Sequence, residues 1–471
     1  MMRFFEFLVA LVIVAVIGVL AAVVMPSSGH VERQLVIGKD LRPVYDTLNN
    51  FRRFPDYAAL RSMAPDVQFK FSGKAYGPGA EVSWTSSDAK VGDGGLTIAS
   101  ATPQFDQIDS NTQDATIVWN LDNSWRGLDK HFTLDLERQG HGRLTQVTWS
   151  YDVKYGWNLV NRFANLYIHG DPDSFIQFSL NNLQNVLAGV ANVDYNDLAP
   201  KIAQSQPTPV LFVTRHIDRS KGGTDALDDA MAQADTELKA QAKKLGVNVT
   251  GPLILFITNY GDPDFDFDVA LPIDSSTLTI NGQEEQLTPP TAPALAGAQP
   301  EPAEPAEAST AADAPKVAGP AAGTRDRSGR LVVEGDIRGM MAFGGATLQG
   351  TWDGTFNGVP QTVKMLTAYA QTHGYEFDST ISPPYDIVTT PEVKDASGGI
   401  TAYAIHQVSL PLKEAPAQTP EQEVGIQPAE GDAGNAPASP SSAPAPGSSV
   451  APAASAAPAS SAAPAESASA E

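Results

Sequence analysis

Thr145-Gln146-Val147-Thr148-Trp149-Ser150-Tyr151-Asp152-Val153 alternates apolar and polar residues without a break. Successive side chains of an extended chain point to opposite faces, so Val147, Trp149, Tyr151 and Val153 share one side of a strand. That side closes onto a core or cavity, and the other meets water. Upstream, β-rich runs separated by turn residues predict further strands at 67–71, 79–86, 96–102, 105–109, 116–121 and 130–137. Downstream, Asp171 or Asp173 opens a long helix whose apolar stripe is Ile176, Leu180, Leu183 and Leu187.

The segment begins with a β-rich run at 31–38 and a helix that Asp40 can N-cap. Leu41, Val44, Tyr45, Leu48 and Phe51 form its apolar stripe, and Pro43 is tolerated in the first turn. Strand, helix, many antiparallel strands and one long closing helix is a helix-grip order. A curved sheet wraps the last helix, with a cavity between them. Phe51-Arg52-Arg53-Phe54-Pro55, Gly77-Pro78-Gly79-Ala80-Glu81-Val82-Ser83-Trp84 and the ending 170–183 occur in the order found in the START-like polyketide cyclase superfamily, which residues 30–190 resemble. The resemblance implies a cavity for a hydrophobic ligand. Trp84, Trp119, Trp149 and Tyr151 sit on strands whose inner faces would line it. Core packing competes with ligand contact for each ring, but four together suggest an aromatic-lined cavity.

Before this segment, Phe7 to Met25 is an unbroken apolar run, close to the ~20 residues that cross a bilayer as a helix. Pro26-Ser27-Ser28-Gly29 ends it and opens a stalk. A cleaved signal peptide would have a shorter apolar core and a small-x-small site, whereas this run ends Ala22-Val23-Val24-Met25. A pilin-type start lacks its required Gly. An uncleaved anchor is the reading taken, with residues 1–29 as anchor and stalk. Arg3 on the short side sets the soluble part on the periplasmic face of a bacterial inner membrane; Arg33, Lys39 and Arg42 pull the other way but belong to a folded domain.

After a polar linker at 191–206, an internal repeat follows. Leu211-Phe212-Val213 with Ile217 matches Leu331-Val332-Val333 with Ile337. Leu238, Ala240, Ala242 and Gly246 match Leu366, Ala368, Ala370 and Gly374. Val269-Ala270-Leu271-Pro272-Ile273 matches Val408-Ser409-Leu410-Pro411-Leu412. Each copy reads strand, helix, strand, strand, and residues 207–413 resemble the GyrI-like small-molecule-binding domain. A Pro/Ala/Glu-rich insertion at 286–326 and the Ala/Pro/Ser-rich tail 414–471 are expected to be disordered.

That second resemblance implies a cleft between the two halves with an acid facing cationic or amine-bearing ligands. Tyr385-Asp386 falls at the position, with Asp where Glu is usual; Phe256 and Tyr260 are the first-half counterparts, and Trp352 and Tyr369 are wall candidates. The fold class expected is therefore α+β: a transmembrane helix, a helix-grip domain and a duplicated βαββ domain.

Composition narrows the function. A chain of 471 residues implies two or three domains, and a formal charge of −23 opposes nucleic acid as a partner. The absence of cysteine removes disulfides, thiolate zinc sites and thiol catalysis. Asp262 to Asp268 fails as an EF-hand, having Phe267 where Gly is needed, so no metal or cofactor is expected. No nucleophile elbow, metalloprotease helix or P-loop occurs. The expected function is a membrane-anchored binder of a hydrophobic or amphiphilic small molecule. The alternatives are a cyclase-, dehydrase- or hydrolase-type enzyme using Asp129 and His131, or a non-catalytic envelope scaffold.

Overall fold

The computed structural model describes residues 2–196, 198–218, 223–260, 264–291, 321–395 and 399–414. Helix α1 (Met2–Val24) is apolar from Phe7 onward and almost wholly exposed; Ala22, near its end, is buried. Its stretch Phe4–Val24 is long and apolar enough to cross a membrane. Strand β1 (Ser28–Ile37) follows at once and leads to α2 (Leu41–Leu48), which Asp40 caps by accepting from the Leu41 N–H.

Short helices α3 (Phe54–Tyr57) and α4 (Leu60–Met63) precede a meander of β2 (Gln68–Gly73), β3 (Ala80–Thr85), β4 (Gly94–Thr102), β5 (Asp114–Asn123), β6 (Leu128–Gln139) and β7 (Leu144–Lys154). The strand expected at 105–109 is instead a 3-10 turn at Phe105–Gln107. The antiparallel sheet runs β1-β7-β6-β5-β4-β3-β2, so the first strand closes onto the last. After the one-turn α5 (Leu159–Arg162), helix α6 (Asp171–Ala188) lies against β1, β7 and α3. Its stripe Ile176, Leu180, Leu183 and Leu187 is fully buried, as its spacing requires. Asp173 ties α6 to the sheet by accepting from Arg33 Nε and Nη2, both at 2.6 Å.

The second lobe begins earlier than the linker reading placed it. Strand β8 (Lys201–Ser205) is the edge of a nine-stranded sheet, followed by β9 (Thr208–Asp218), α7 (Gly223–Leu245), β10 (Ile254–Tyr260), β11 (Asp264–Pro272) and the hairpin β12 (Thr277–Ile280)–β13 (Gln283–Gln286). Then come β14 (Leu331–Glu334), β15 (Ile337–Ala342), β16 (Gly345–Gly354), α8 (Val359–Thr372), β17 (Tyr385–Thr390), the small pair β18 (Val393–Lys394)–β19 (Ile400–Ala402), and β20 (Ala404–Pro411). The strand order is β14-β15-β9-β11-β10-β17-β20-β16-β8. Within it, β9-α7-β10-β11 and β16-α8-β17-β20 are two βαββ units that meet at β10 and β17.

The strand that opens the second unit is β16, not the 331–337 run that the sequence repeat suggested. Leu331–Glu334 and Ile337–Ala342 form a hairpin that extends the sheet beyond β9. The edges of the insertion are also structured: Leu287 is buried, and Arg325 donates to Thr288 Oγ1 at 2.8 Å and to the Gln286 carbonyl at 2.6 Å. Residues 292–320 and the tail from 415 onward lie outside the described residues.

All eight residues of α2 are buried, including the polar Arg42, Asp46 and Thr47. One face packs into the first lobe; α8 of the second lobe covers the other. Asp46 Oδ2 accepts from Arg42 Nε at 3.0 Å and from the Tyr195 hydroxyl at 2.9 Å, and that hydroxyl lies 3.2 Å from Thr372 Oγ1. Arg53 Nη1 donates to the Gln371 carbonyl at 2.6 Å. His373, stacked on Tyr369 at 3.8 Å, lies in this seam, and burial pushes its pKa down to about 4.

Candidate ligand-binding sites

The inner face of the first sheet carries the four rings singled out from the sequence. Trp119 and Trp149 are fully buried and meet edge to face at 5.3 Å, with Phe51 against Trp119 at 5.2 Å and Phe132 against Trp149 at 5.7 Å. These two rings are core: their surroundings are other rings. Trp84 stacks on Phe54 at 6.2 Å and borders a space of about 20 Å³, room for a single water, with Trp125, Phe132 and Phe175.

Tyr151 reaches a larger space. Between the end of β7, the loop at Trp125, the segment around α5 and the start of α6 lies a cavity of about 390 Å³. Its walls are Trp125, Tyr151, Tyr155, Phe163, Tyr167 and Ile168, with Arg126 and Asp171 as charged members. That volume and lining suit a small apolar or amphiphilic molecule. Burial raises the pKa of both Tyr151 and Tyr155, so their phenols stay protonated as hydrogen-bond groups. Apart from Tyr151, sequence reading missed these walls. Trp125 sits in the turn Asn123-Ser124-Trp125-Arg126-Gly127 and Phe163 and Tyr167 in a short irregular stretch, where no periodicity marks an inward face.

Asp129 and His131 do not enter this cavity. Asp129 is exposed, at a positive φ of 48° in a ladder irregularity, and pairs with Lys154 at 3.1 Å. His131 Nδ1 lies 3.0 Å from the Asp129 carbonyl oxygen, and the ring is half-buried beside Asp152. The irregularity breaks the i, i+2 relation that would have put the two on one strand face. Among the described residues no group of three or more His, Asp or Glu side chains is placed to hold a metal.

In the second lobe, neighbours Tyr385 and Asp386 point to opposite faces of β17. Tyr385 packs on Phe256 at 5.7 Å and shares a 2.8 Å hydrogen bond with Ser205 Oγ, in a small cluster with Phe212 and Met340. Asp386 lies on the face that carries both helices. Its Oδ2 is 2.7 Å from His406 Nδ1, the side chains being 2% and 4% exposed, and its buried Oδ1 has no protein partner. Burial raises the Asp386 pKa, and the bond from His406 opposes that rise.

Trp352 sits opposite His406 on the neighbouring strand and donates from Nε1 to the Thr355 carbonyl at 2.8 Å. Phe356 meets the His406 ring at 6.3 Å. Asp386, His406, Trp352 and Phe356 thus come together, while Tyr385 and Phe256 do not join them. Tyr369 belongs to the seam between the lobes, and the side chain of Tyr260 lies outside the described residues.

No family model and no curated protein matches the chain. Among solved structures, Ara h 8.0201 is similar over 34% of this chain and 98% of its own, at 12% identity and a TM-score of 0.24. Norcoclaurine synthase from Thalictrum flavum, in complex with dopamine and hydroxybenzaldehyde, is similar over 36% and 92%, at 11% identity and 0.25. The C-terminal domain of EcmrR is similar over 46% and 99%, at 9% identity and 0.28. Likeness at this level carries none of the functional reading, which rests on the cavity and its lining.

Proposed function

We propose that this protein is a membrane-anchored binder of a hydrophobic or amphiphilic small molecule, held in the first lobe by the START-like helix-grip arrangement. The observation that carries the reading is the 390 Å³ cavity walled by Trp125, Tyr151, Tyr155, Phe163 and Tyr167. Burial of apolar surface drives capture, at roughly 25 cal/mol per Å². The protonated phenols and the Arg126 and Asp171 side chains orient a polar end. Anchoring by α1, with the soluble part on the periplasmic side, would put capture at the membrane surface.

The second lobe reads as a GyrI-like effector module. Its two βαββ units and the buried Asp386, one oxygen of which lacks a protein partner, support a site for a cationic or amine-bearing ligand among Trp352, Phe356 and His406. The lobes act together through the Asp46–Tyr195–Thr372 seam, an arrangement suited to sensing.

The test is a titration of delipidated full-length protein with 1-anilinonaphthalene-8-sulfonate. Saturable binding, displaced by a single-chain amphiphile and abolished by Ala164→Trp in the cavity wall, is expected. A failure to bind saturably would remove the proposal.

A further inference from the structure

The most exposed apolar cluster of the folded part lies in one place. Trp157 is 86% exposed, Val160 64%, Leu166 64% and Tyr167 75%, all in the stretch between β7 and α6. Isolated exposed apolar residues are ordinary, but a cluster of this size marks a surface that is covered in use. None of the residues from Gly156 to Gly170 is acidic, in a chain with 54 acidic residues. Trp and Tyr beside aliphatic residues, without acids, is the composition of the zone between acyl chains and water.

Where this stretch sits relative to α1 identifies the cover. Phe4–Val24 has 21 residues, about 31 Å of helix at ~1.5 Å per residue, against a hydrocarbon layer of ~30 Å. Val24 therefore marks the edge of that layer. The patch is fixed to this same level: Arg162 Nη1 donates to the carbonyl oxygens of Val23 at 3.0 Å and Met25 at 3.3 Å. Arg162 Nε donates to the Gly156 carbonyl at 2.8 Å, and its guanidinium lies 5.3 Å from the centre of the Trp157 ring. A patch tied to the last turn of a spanning helix is held at the depth where that helix leaves the bilayer.

We propose that the segment Trp157–Tyr167 is seated in the membrane interface beside the exit of α1, with Trp157, Val160, Leu166 and Tyr167 among the lipids. Val160, Phe163 and Tyr167 belong to the patch and also wall the 390 Å³ cavity. The cavity consequently opens onto the bilayer, and its occupant enters from the lipid phase. This last step rests on the binding function proposed above; the seating of the patch does not.

The chain has no cysteine, so single-site spin labelling reads the depth directly. Leu166→Cys is labelled with a nitroxide in full-length protein reconstituted into phosphatidylcholine vesicles. Arg143→Cys, at the far end of β7, is the reference. The Leu166 label should be open to oxygen and several-fold less accessible than the Arg143 label to a water-soluble nickel chelate. Equal accessibility to the chelate would overturn the seating. So would exclusion of both reagents, the signature of a patch covered by protein, including a second copy of this chain. If Leu166→Cys fails to fold, Val160→Cys gives the same reading. Should the label lie among lipids while the dye titration fails, the seating stands and only the ligand function falls.

Discussion

Leu255 and Asp386 face each other across the central strand pair of the second sheet, and each is the other's counterpart in the two βαββ units. With Leu271-Pro272 matched to Leu410-Pro411, the ladder registers carry Leu255 onto Asp386 and Phe267 onto His406. The match holds at the sheet edges, where Ile273 donates to the Pro209 carbonyl and Leu412 to that of Ala346, both at 2.9 Å. One half therefore places an apolar pair where the other places a buried acid and imidazole.

This asymmetry makes a stability prediction. His406→Phe alone strands Asp386, and Asp386→Leu alone strands His406; breaking a buried pair from either side costs about 3–5 kcal/mol. The double substitution installs the residues of the other half and should recover most of that loss. Urea unfolding of the three variants checks it, and a double variant as unstable as the sum of the singles would contradict it.

The seam between the lobes predicts a pH dependence. His373 has its pKa lowered by burial from 6.5 to about 4, so the unfolded chain binds the proton first as pH falls. Its contribution is fully present above about pH 6.5 and is lost between there and pH 4. At ~1.4 kcal/mol for each pH unit this amounts to about 3 kcal/mol. His373→Phe should flatten the stability–pH slope in that window relative to the unsubstituted protein. An unchanged slope would place the titrating group elsewhere.

What the sequence revealed follows from how much of each element its own residues determine. The α6 stripe and the β7 alternation were readable because burial against one partner imposes a period on them. The complete burial of α2 was not readable, since its polar face is covered by α8, far away in the chain. Strand β16, Gly345-Ala346-Thr347-Leu348-Gln349-Gly350-Thr351-Trp352-Asp353-Gly354, has no apolar run, while Leu331-Val332-Val333 has one and drew the repeat to the wrong strand. Aromatic residues on strands pointed to the first lobe's interior, yet two of the four fill it. The open cavity belongs to loop residues whose inward direction only tertiary packing sets.

The Arg162 contacts predict that Arg162→Ala loosens α1 from the first lobe. Hydrogen bonds from a charged donor contribute about 1.5–3 kcal/mol, and this side chain is buried with three carbonyl partners. Limited proteolysis of reconstituted protein should cut the short connection at residues 25–27, between α1 and β1, several-fold faster in the variant. An unchanged cutting rate would mean that the seat is held by other contacts.

Carriage of an amphiphile in the first lobe's cavity is read out by native mass spectrometry of the full-length protein taken from its own membranes in mild detergent. A co-purifying molecule with an apolar chain, one per protein and lost from the Ala164→Trp variant, is expected. A protein that emerges empty, with nothing released on organic extraction, would contradict it.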